Sequence, residues 1–136
     1  QNKNIMKLTI PFYLHKVGAG FPSPATDYIE DDIDLNAHLI KNVPATFIIR
    51  VQGKSMTNVG IYHGDLLIVD KSLDPKNFST VIANINEELV VKTLIRRNGE
   101  NYLTSGSKNA SERINLTDNP EIIIWGVVTY VIHKQQ

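Results

Sequence analysis

The chain is 136 residues long and 42% hydrophobic, which is enough for one domain with a substantial core. It carries 14 basic and 14 acidic residues, and the resulting formal net charge of zero disfavours direct binding to DNA. It has no cysteine, no metal-ligand spacing among its four histidines, no long apolar run and no signal sequence, so we expect no disulfide, metal, cofactor or membrane association, and a cytoplasmic location.

Residues 1–33 are expected to form a flexible arm ahead of the core. Glycine and proline recur between positions 18 and 24, and a proline keeps the residue before it out of a helix. The acidic stretch Glu30-Asp31-Asp32 is typical of a solvated face. The sequence therefore predicts a core domain over residues 34–136, preceded by a loop-like segment.

A short amphipathic helix is predicted at the start of the core. Asp34 is suited to cap its N-terminus, and Leu35 and Leu39 follow at a spacing of one helical turn. Asn42 is a suitable stop, so the helix is predicted over Leu35 to Lys41.

The rest of the chain predicts strands. Apolar residues alternate with other residues after Ala45, and Asn98-Gly99 is a strong signal for a hairpin turn. Gly126 suggests a bulge inside the last strand. Many short strands with one helix indicate a mainly β fold, an antiparallel sandwich or partly closed barrel. The predicted strands cover residues 46–52, 66–69, 81–85, 89–96, 100–104 and 122–132.

Lys92 lies in the apolar run Leu89-Val90-Val91-Lys92-Thr93-Leu94. Side chains two apart on a strand share a face, so Val90 and Leu94 are expected to flank the lysine. A lysine can act as a base only when it is uncharged, and burial without a counter-ion favours that form. The residues alone leave open the alternative that Lys92 extends from an edge strand into water.

Ser55 lies in the tetrapeptide Gly53-Lys54-Ser55-Met56, between a predicted strand and a possible helical turn that starts at Met56. A serine hydroxyl becomes a good nucleophile only when a base removes its proton. At a strand-to-helix corner, the backbone N–H groups of Ser55 and Met56 can stabilise an oxyanion. The alternative is that Ser55 is an ordinary helix cap, since Gly-x-Ser is a weak pattern.

Several motifs, in the right order, resemble the UmuD-like members of the S24 family of self-cleaving serine peptidases, to which the LexA repressors also belong. The resemblance extends from about Gly18 to the C-terminus. One departure is Ser79-Thr80, where the family usually has Gly-Asp, and we expect an altered turn there. The matching segments are Phe21-Pro22-Ser23-Pro24-Ala25, Ile33-Asp34-Leu35-Asn36, Gly53-Lys54-Ser55-Met56, Gly64-Asp65-Leu66-Leu67-Ile68-Val69-Asp70, Val91-Lys92-Thr93-Leu94 and Gly126-Val127-Val128.

The resemblance implies a Ser–Lys dyad in which Ser55 is the nucleophile and Lys92 the general base. It implies that the chain cuts its own Ala19-Gly20 bond in the arm. It also implies partners: a second copy of the chain, a RecA filament on single-stranded DNA that activates cleavage, and a Y-family, UmuC-like polymerase that copies damaged DNA in the SOS response.

Three alternatives remain open at this point. The chain could be the C-terminal domain of a LexA-like or phage repressor, but the stretch from Phe21 to Asn36 favours the UmuD-like class, and we expect no DNA-binding domain ahead of it. A non-catalytic dimerisation module is disfavoured by the presence of both Ser55 and Lys92. A signal peptidase, which also uses a Ser–Lys dyad, is disfavoured by the lack of a membrane anchor.

Overall fold

The computed structural model describes residues 9–13, 29–106 and 112–136. The chain divides into two compact units, Gln1–Lys41 and Asn42–Gln136. The predicted division into an arm of residues 1–33 and a core of residues 34–136 stays a prediction. No helix in the described ranges is long and apolar enough to cross a membrane.

The first unit contains a two-stranded antiparallel sheet and a helix. Strand β1 (Thr9–Tyr13) pairs with β2 (Ile29–Asp34), with Thr9 opposite Asp34. The sequence pattern did not predict these strands, because acidic residues and proline are poor strand formers. The backbone hydrogen bonds of each strand are made to a partner that is distant in the sequence, and a local pattern does not reveal such a partner.

Helix α1 (Leu35–Leu39) confirms the predicted helix and its cap. Oδ1 of Asp34 accepts hydrogen bonds from the backbone N–H groups of Asn36, at 3.1 Å, and of Ala37, at 3.5 Å. The helix ends before the predicted Lys41, because Ile40 already has extended backbone angles.

The described residues of the second unit form a seven-stranded antiparallel sheet, which confirms the predicted mainly β fold; over these residues the sheet is not closed into a barrel. The strand order is β3-β4-β9-β5-β6-β7-β8. Short 3₁₀ turns lie at Val43–Ala45 and Thr57–Val59. The strands are β3 (Thr46–Arg50), β4 (Leu66–Asp70), β5 (Thr80–Ile85), β6 (Glu88–Arg97), β7 (Glu100–Thr104), β8 (Ile114–Asn115) and β9 (Ile123–Ile132).

Two tight turns fix the register of β5, β6 and β7. Asn86 and Glu87 join β5 to β6, with φ of 53° and 66°. Asn98 and Gly99 join β6 to β7, with φ of 54° and 77°, which confirms the predicted turn. Positive φ at both central residues is the geometry that matches the twist of a two-residue hairpin. The first turn therefore sets which residue of β5 lies opposite each residue of β6, and the second does the same for β7.

The sheet contributes side chains to two apolar clusters. Neighbouring residues Val81 and Ile82 of β5 belong to different clusters, because successive side chains of a strand point to opposite faces. The first cluster contains Val51, Met56, Ile61, Leu67, Val69 and Ile82. The second contains Val81, Ala83, Leu94 and Leu103.

The predicted bulge in the last strand is present next to Gly126. Ile82 lies opposite Gly126, whereas the following residue, Ala83, lies opposite Ile124, so Trp125 is the extra residue of β9. Gly126 is buried, and a Cβ at this position would lie 2.7 Å from Cγ1 of Val69. Only glycine therefore fits here without displacing β4.

Candidate active site

Lys92 lies on β6 with the neighbours that the strand period predicts. It faces Val81 of β5 across the ladder. Val90 packs against the second apolar cluster together with Leu94, whereas Val91 packs against the first. Lys92 itself is half-buried, and its Nζ donates a hydrogen bond of 3.1 Å to Oγ of Ser105. The amine is therefore tied to a neighbouring hydroxyl and does not extend freely into water.

Ser55 lies in the loop that follows β3, and its side chain is exposed. The helical turn predicted after it is present as the 3₁₀ turn Thr57–Val59. Met56, rather than Ser55, occupies the cap position of that turn, so the alternative that Ser55 is a helix cap is wrong. The structure shows no hydrogen bond from the Ser55 hydroxyl to any described residue, which leaves it available for another role.

Ser55 and Lys92 line the same cleft, which has a volume of about 530 Å³. One wall is residues 49–53, at the end of β3, and the other is residues 88–92, at the start of β6. Arg50 and Glu88 add one charge of each sign to the lining. Two residues that are far apart in sequence are thus brought to one concave site.

The wall formed by β6 has an open backbone edge. Residues 88–93 pair with β5, but β7 pairs only with residues 93–97. Within the described ranges, residues 88–92 therefore have no strand on their second side. Unpaired backbone N–H and C=O groups at such an edge can accept an added strand.

Met56 anchors the Ser55 loop in the core. Its side chain exposes 2% of its surface and belongs to the first apolar cluster. Its carbonyl oxygen accepts hydrogen bonds from the N–H groups of Val59, at 3.1 Å, and of Ile61, at 3.2 Å. These contacts hold the residue after the serine while the serine hydroxyl remains exposed.

Two backbone N–H groups beside the hydroxyl are free among the described residues. Neither the N–H of Ser55 nor that of Met56 donates a hydrogen bond to any of them. The 3₁₀ turn that follows is only three residues long, so a helix dipole contributes little here. Stabilisation of an oxyanion at this corner would come from the individual N–H groups.

A buried carboxylate fastens the far end of the loop. Asp65 exposes 2% of its surface; its Oδ1 lies 2.6 Å from Nδ1 of His133, and its Oδ2 accepts a hydrogen bond of 2.9 Å from the N–H of Tyr62. The hydrogen bond with His133, followed by that from Tyr62, holds the pKa of Asp65 below its ordinary value, and burial opposes them. The pair ties the loop to the end of β9.

Sequence reasoning missed three residues whose hydrogen bonds lie around the cleft. Ser105 accepts from Lys92, His63 accepts from the N–H of Gly53, and Asn58 donates to the carbonyl oxygen of Gly106. His63 and Asn58 carried no local signal, since their partners depend on how the loop folds. For Ser105 a signal was present: counting outward from the Asn98-Gly99 turn along both strands places Ser105 opposite Lys92. The predicted cleavage site, Ala19-Gly20, lies outside the described residues.

The chain belongs to the Peptidase S24-like family, which it matches over residues 11–129. It is 43% identical over 132 residues to Protein ImpA of Salmonella typhimurium, a match that covers 91% of this chain and 83% of ImpA. It is 39% identical over 122 residues to Protein MucA of Escherichia coli, covering 90% of this chain and 83% of MucA. The LexA repressor of Pasteurella multocida is 35% identical over 120 residues, covering 88% of this chain but 56% of the repressor.

Within this family the chain is UmuD-like, which confirms the resemblance drawn from its motifs. The UmuD-like relatives match it at higher identity, and over more of their own length, than the repressor does. The family and these relatives make it a self-cleaving serine peptidase of SOS mutagenesis, and the repressor reading is the more distant one.

Proposed function

We propose that the chain cuts its own Ala19-Gly20 bond with Ser55 as the nucleophile and Lys92 as the general base. The observation that carries this proposal is that the exposed hydroxyl of Ser55 and the half-buried amine of Lys92 line one cleft. A nucleophile and a base in one confined site are what serine catalysis without histidine requires.

The surroundings of Lys92 support a role as a base. Within the described ranges its ammonium group forms no ion pair with a carboxylate, although Glu88 lines the same cleft. A carboxylate partner would stabilise the charged form, in which the amine has no lone pair to accept a proton. The contact that Lys92 does make, to the Ser105 hydroxyl, is with a neutral group.

The reaction has two stages, acylation of Ser55 and hydrolysis of the resulting ester, and each stage includes two proton transfers. Neutral Lys92 removes the proton of the Ser55 hydroxyl as Oγ attacks the carbonyl carbon of Ala19. The C–N bond to Gly20 breaks, and the ammonium of Lys92 returns the proton to the departing amine of Gly20. Water then gives a proton to Lys92 and adds as hydroxide to the ester carbon, and Ser55 leaves with that proton.

The open edge of β6 supports a way to hold the substrate. An extended segment of the arm that adds beside residues 88–92 would place its backbone in the cleft and bring a peptide bond towards Ser55. Small side chains on both sides of that bond, as in Ala19-Gly20, suit a confined cleft. Because the substrate belongs to the same chain, the reaction needs no tight binding of a separate molecule.

We also propose the wider setting of the reaction. A RecA filament on single-stranded DNA would raise the population of the conformer in which the arm occupies the cleft. The processed chain would then act as a homodimer with a Y-family, UmuC-like polymerase during synthesis across lesions. Support for these partners comes from the similarity to the UmuD-like proteins.

The dyad is tested with two single substitutions and a matched control. Ser55→Ala and Lys92→Ala should each leave the chain folded and abolish self-cleavage, whereas Lys76→Ala, at an exposed lysine outside the cleft, should cut at the wild-type rate. Intact mass after incubation reports both the rate and the bond that is cut. Cleavage by Lys92→Ala at the wild-type rate, or a break elsewhere than after Ala19, would contradict the proposal.

The partners need their own measurement. Addition of RecA bound to single-stranded DNA with a nucleotide should accelerate cutting of the wild-type chain, and RecA without DNA should not. Analytical ultracentrifugation of the cut and uncut chains reports their oligomeric state. A monomer at all concentrations, or a rate unaffected by the filament, would rule out this part of the proposal.

A further inference from the structure

Ser105, the residue that follows the end of β7, lies opposite Lys92. Thr93 lies opposite Thr104, and one more step along the same register brings Lys92 and Ser105 together just beyond the end of the β6–β7 ladder. Directly opposed residues of an antiparallel pair point to the same face. The hydrogen bond of 3.1 Å from Nζ of Lys92 to Oγ of Ser105 joins them there, and both residues are half-buried.

The next residue, Gly106, contacts the loop that carries Ser55. Its carbonyl oxygen accepts a hydrogen bond of 2.9 Å from Nδ2 of Asn58, in the 3₁₀ turn after the nucleophile. A Cβ at Gly106 would lie 3.0 Å from Cγ1 of Val59 and 3.2 Å from Sδ of Met56, so the backbone approaches this loop closely. Gly106 also has φ of 72°, a conformation that favours glycine.

We propose that Ser105 is a positioning residue for Lys92. The two consecutive residues Ser105 and Gly106, called the Ser105–Gly106 step below, together fix the position of the Lys92 amine relative to the loop that carries Ser55. This inference rests on the proposed Ser–Lys reaction and adds to it the device that aligns its two halves. One residue of the step holds the base and the next holds the loop of the nucleophile.

The chemistry of the amine explains why such a device is useful. A neutral lysine amine has two N–H donors and one lone pair, and free rotation about its last bond would scatter the direction of that lone pair. An N–H held by the Ser105 hydroxyl restricts this rotation and leaves the lone pair for the proton of Ser55. A hydroxyl also accepts from the charged amine without adding a negative charge, as a carboxylate would. The charged residues that line the cleft besides Lys92 are Arg50 and Glu88.

The test compares the pH profile of self-cleavage in wild type, Ser105→Ala and Ser105→Thr. Loss of the hydroxyl removes an acceptor for the charged amine, so Ser105→Ala should move the midpoint of the profile to lower pH. It should also lower the maximal rate about three- to tenfold, the factor expected for loss of one hydrogen bond from the neutral amine. Ser105→Thr keeps the hydroxyl and should retain most of the wild-type rate. A wild-type profile and rate in Ser105→Ala would overturn the inference.

The second half of the device is tested with Asn58→Ala. This substitution removes the bond to Gly106 but leaves the hydroxyl beside Lys92, so the maximal rate should fall while the midpoint of the pH profile stays unchanged. A wild-type maximal rate in Asn58→Ala would show that the step does not align the Ser55 loop.

A measurement without cleavage separates this inference from the reaction on which it rests. In the Ser55→Ala background, the reactivity of the Lys92 amine towards an acylating reagent is followed by mass spectrometry, with and without Ser105→Ala. A change in reactivity supports the contact, and an identical reactivity overturns it. Failure of the wild-type chain to cut itself would instead count against the proposed function. The amine reactivity would still show whether Ser105 contacts and positions the Lys92 amine.

Discussion

The backbone N–H of Gly53 donates a hydrogen bond of 3.0 Å to Nδ1 of His63, across the base of the loop that carries Ser55. Gly53 has φ of 100°, so the chain turns sharply at the point where this bond forms. The bond closes the loop at its start, and the packing of Met56 anchors it in the middle. The position of Ser55, the proposed nucleophile, thus depends on a histidine that takes no proton in the proposed reaction.

Replacement of His63 should slow self-cleavage according to the acceptor that remains. His63→Leu removes the acceptor and should lower the rate by about three- to tenfold, because the loop loses one hydrogen bond. His63→Asn offers a carbonyl oxygen at a similar distance from the backbone and should retain more of the activity. Intact mass over time gives both rates; equal rates in the two variants would show that the hydrogen bond does not position Ser55.

Self-cleavage of the purified chain should accelerate as the pH rises, with no activator present. The neutral fraction of an amine increases with pH, and the proposed base is active only in that form. Lys92→Arg is the matched control, because a guanidinium stays charged over the whole range. Rates by mass measurement, with circular dichroism to confirm folding, check this. A flat wild-type profile, or the same rise in Lys92→Arg, would exclude Lys92 as the base.

Asp65 should make the fold sensitive to acid. Its pKa is held below the ordinary value of 3.8, chiefly by the hydrogen bond with His133, so its ionised form stabilises the folded state above that pH. This contribution is lost as the pH falls through the lower, folded-state value. Urea unfolding should therefore show that Asp65→Asn is less stable than wild type near neutrality, by a difference that shrinks below about pH 4. A difference that is constant with pH would contradict this role.

Gly126→Ala should destabilise the second unit by about 2 kcal/mol. The added methyl would meet Cγ1 of Val69 at 2.7 Å and the backbone oxygen of Asp70 at 3.2 Å, and the backbone cannot move aside cheaply. Gly99→Asn is the control, because the space around Gly99 is open and asparagine tolerates positive φ; its effect should stay below about 0.5 kcal/mol. Equal free energies of unfolding for the two variants would show that β9 can shift enough to accommodate the added methyl group.

The features that the sequence predicted correctly depend on short-range patterns. The cap at Asp34, the turn at Asn98-Gly99 and the bulge at Gly126 each follow from the backbone preferences of one or two residues. The burial of β3 on the Phe47 and Ile49 side follows from alternation, with Ile48 53% exposed. Such signals can be read without knowledge of the sheet order.

The features that the sequence did not predict depend on contacts between distant segments. The pairing of β1 with β2, the short strand β8 and the bond between Asn58 and Gly106 have no local pattern of their own. Lys92 and Ser55 were singled out by sequence, but only the fold shows that they line one cleft. The arrangement around a site is set by tertiary packing, whereas the chemistry of its residues can be read from their types.

The two-residue turn at Asn86 and Glu87 has a consequence for how this protein can change over time. It directly precedes β6, the strand that carries Lys92, and fixes which way every side chain of β6 points. A single residue gained or lost between that turn and the lysine would present the amine to the opposite side of the sheet. In descendants of this protein, insertions between the turn and Lys92 would therefore keep the lysine on its face of the sheet only if they added an even number of residues. The exposed loop around Lys54 is not part of a strand, so this restriction does not apply there.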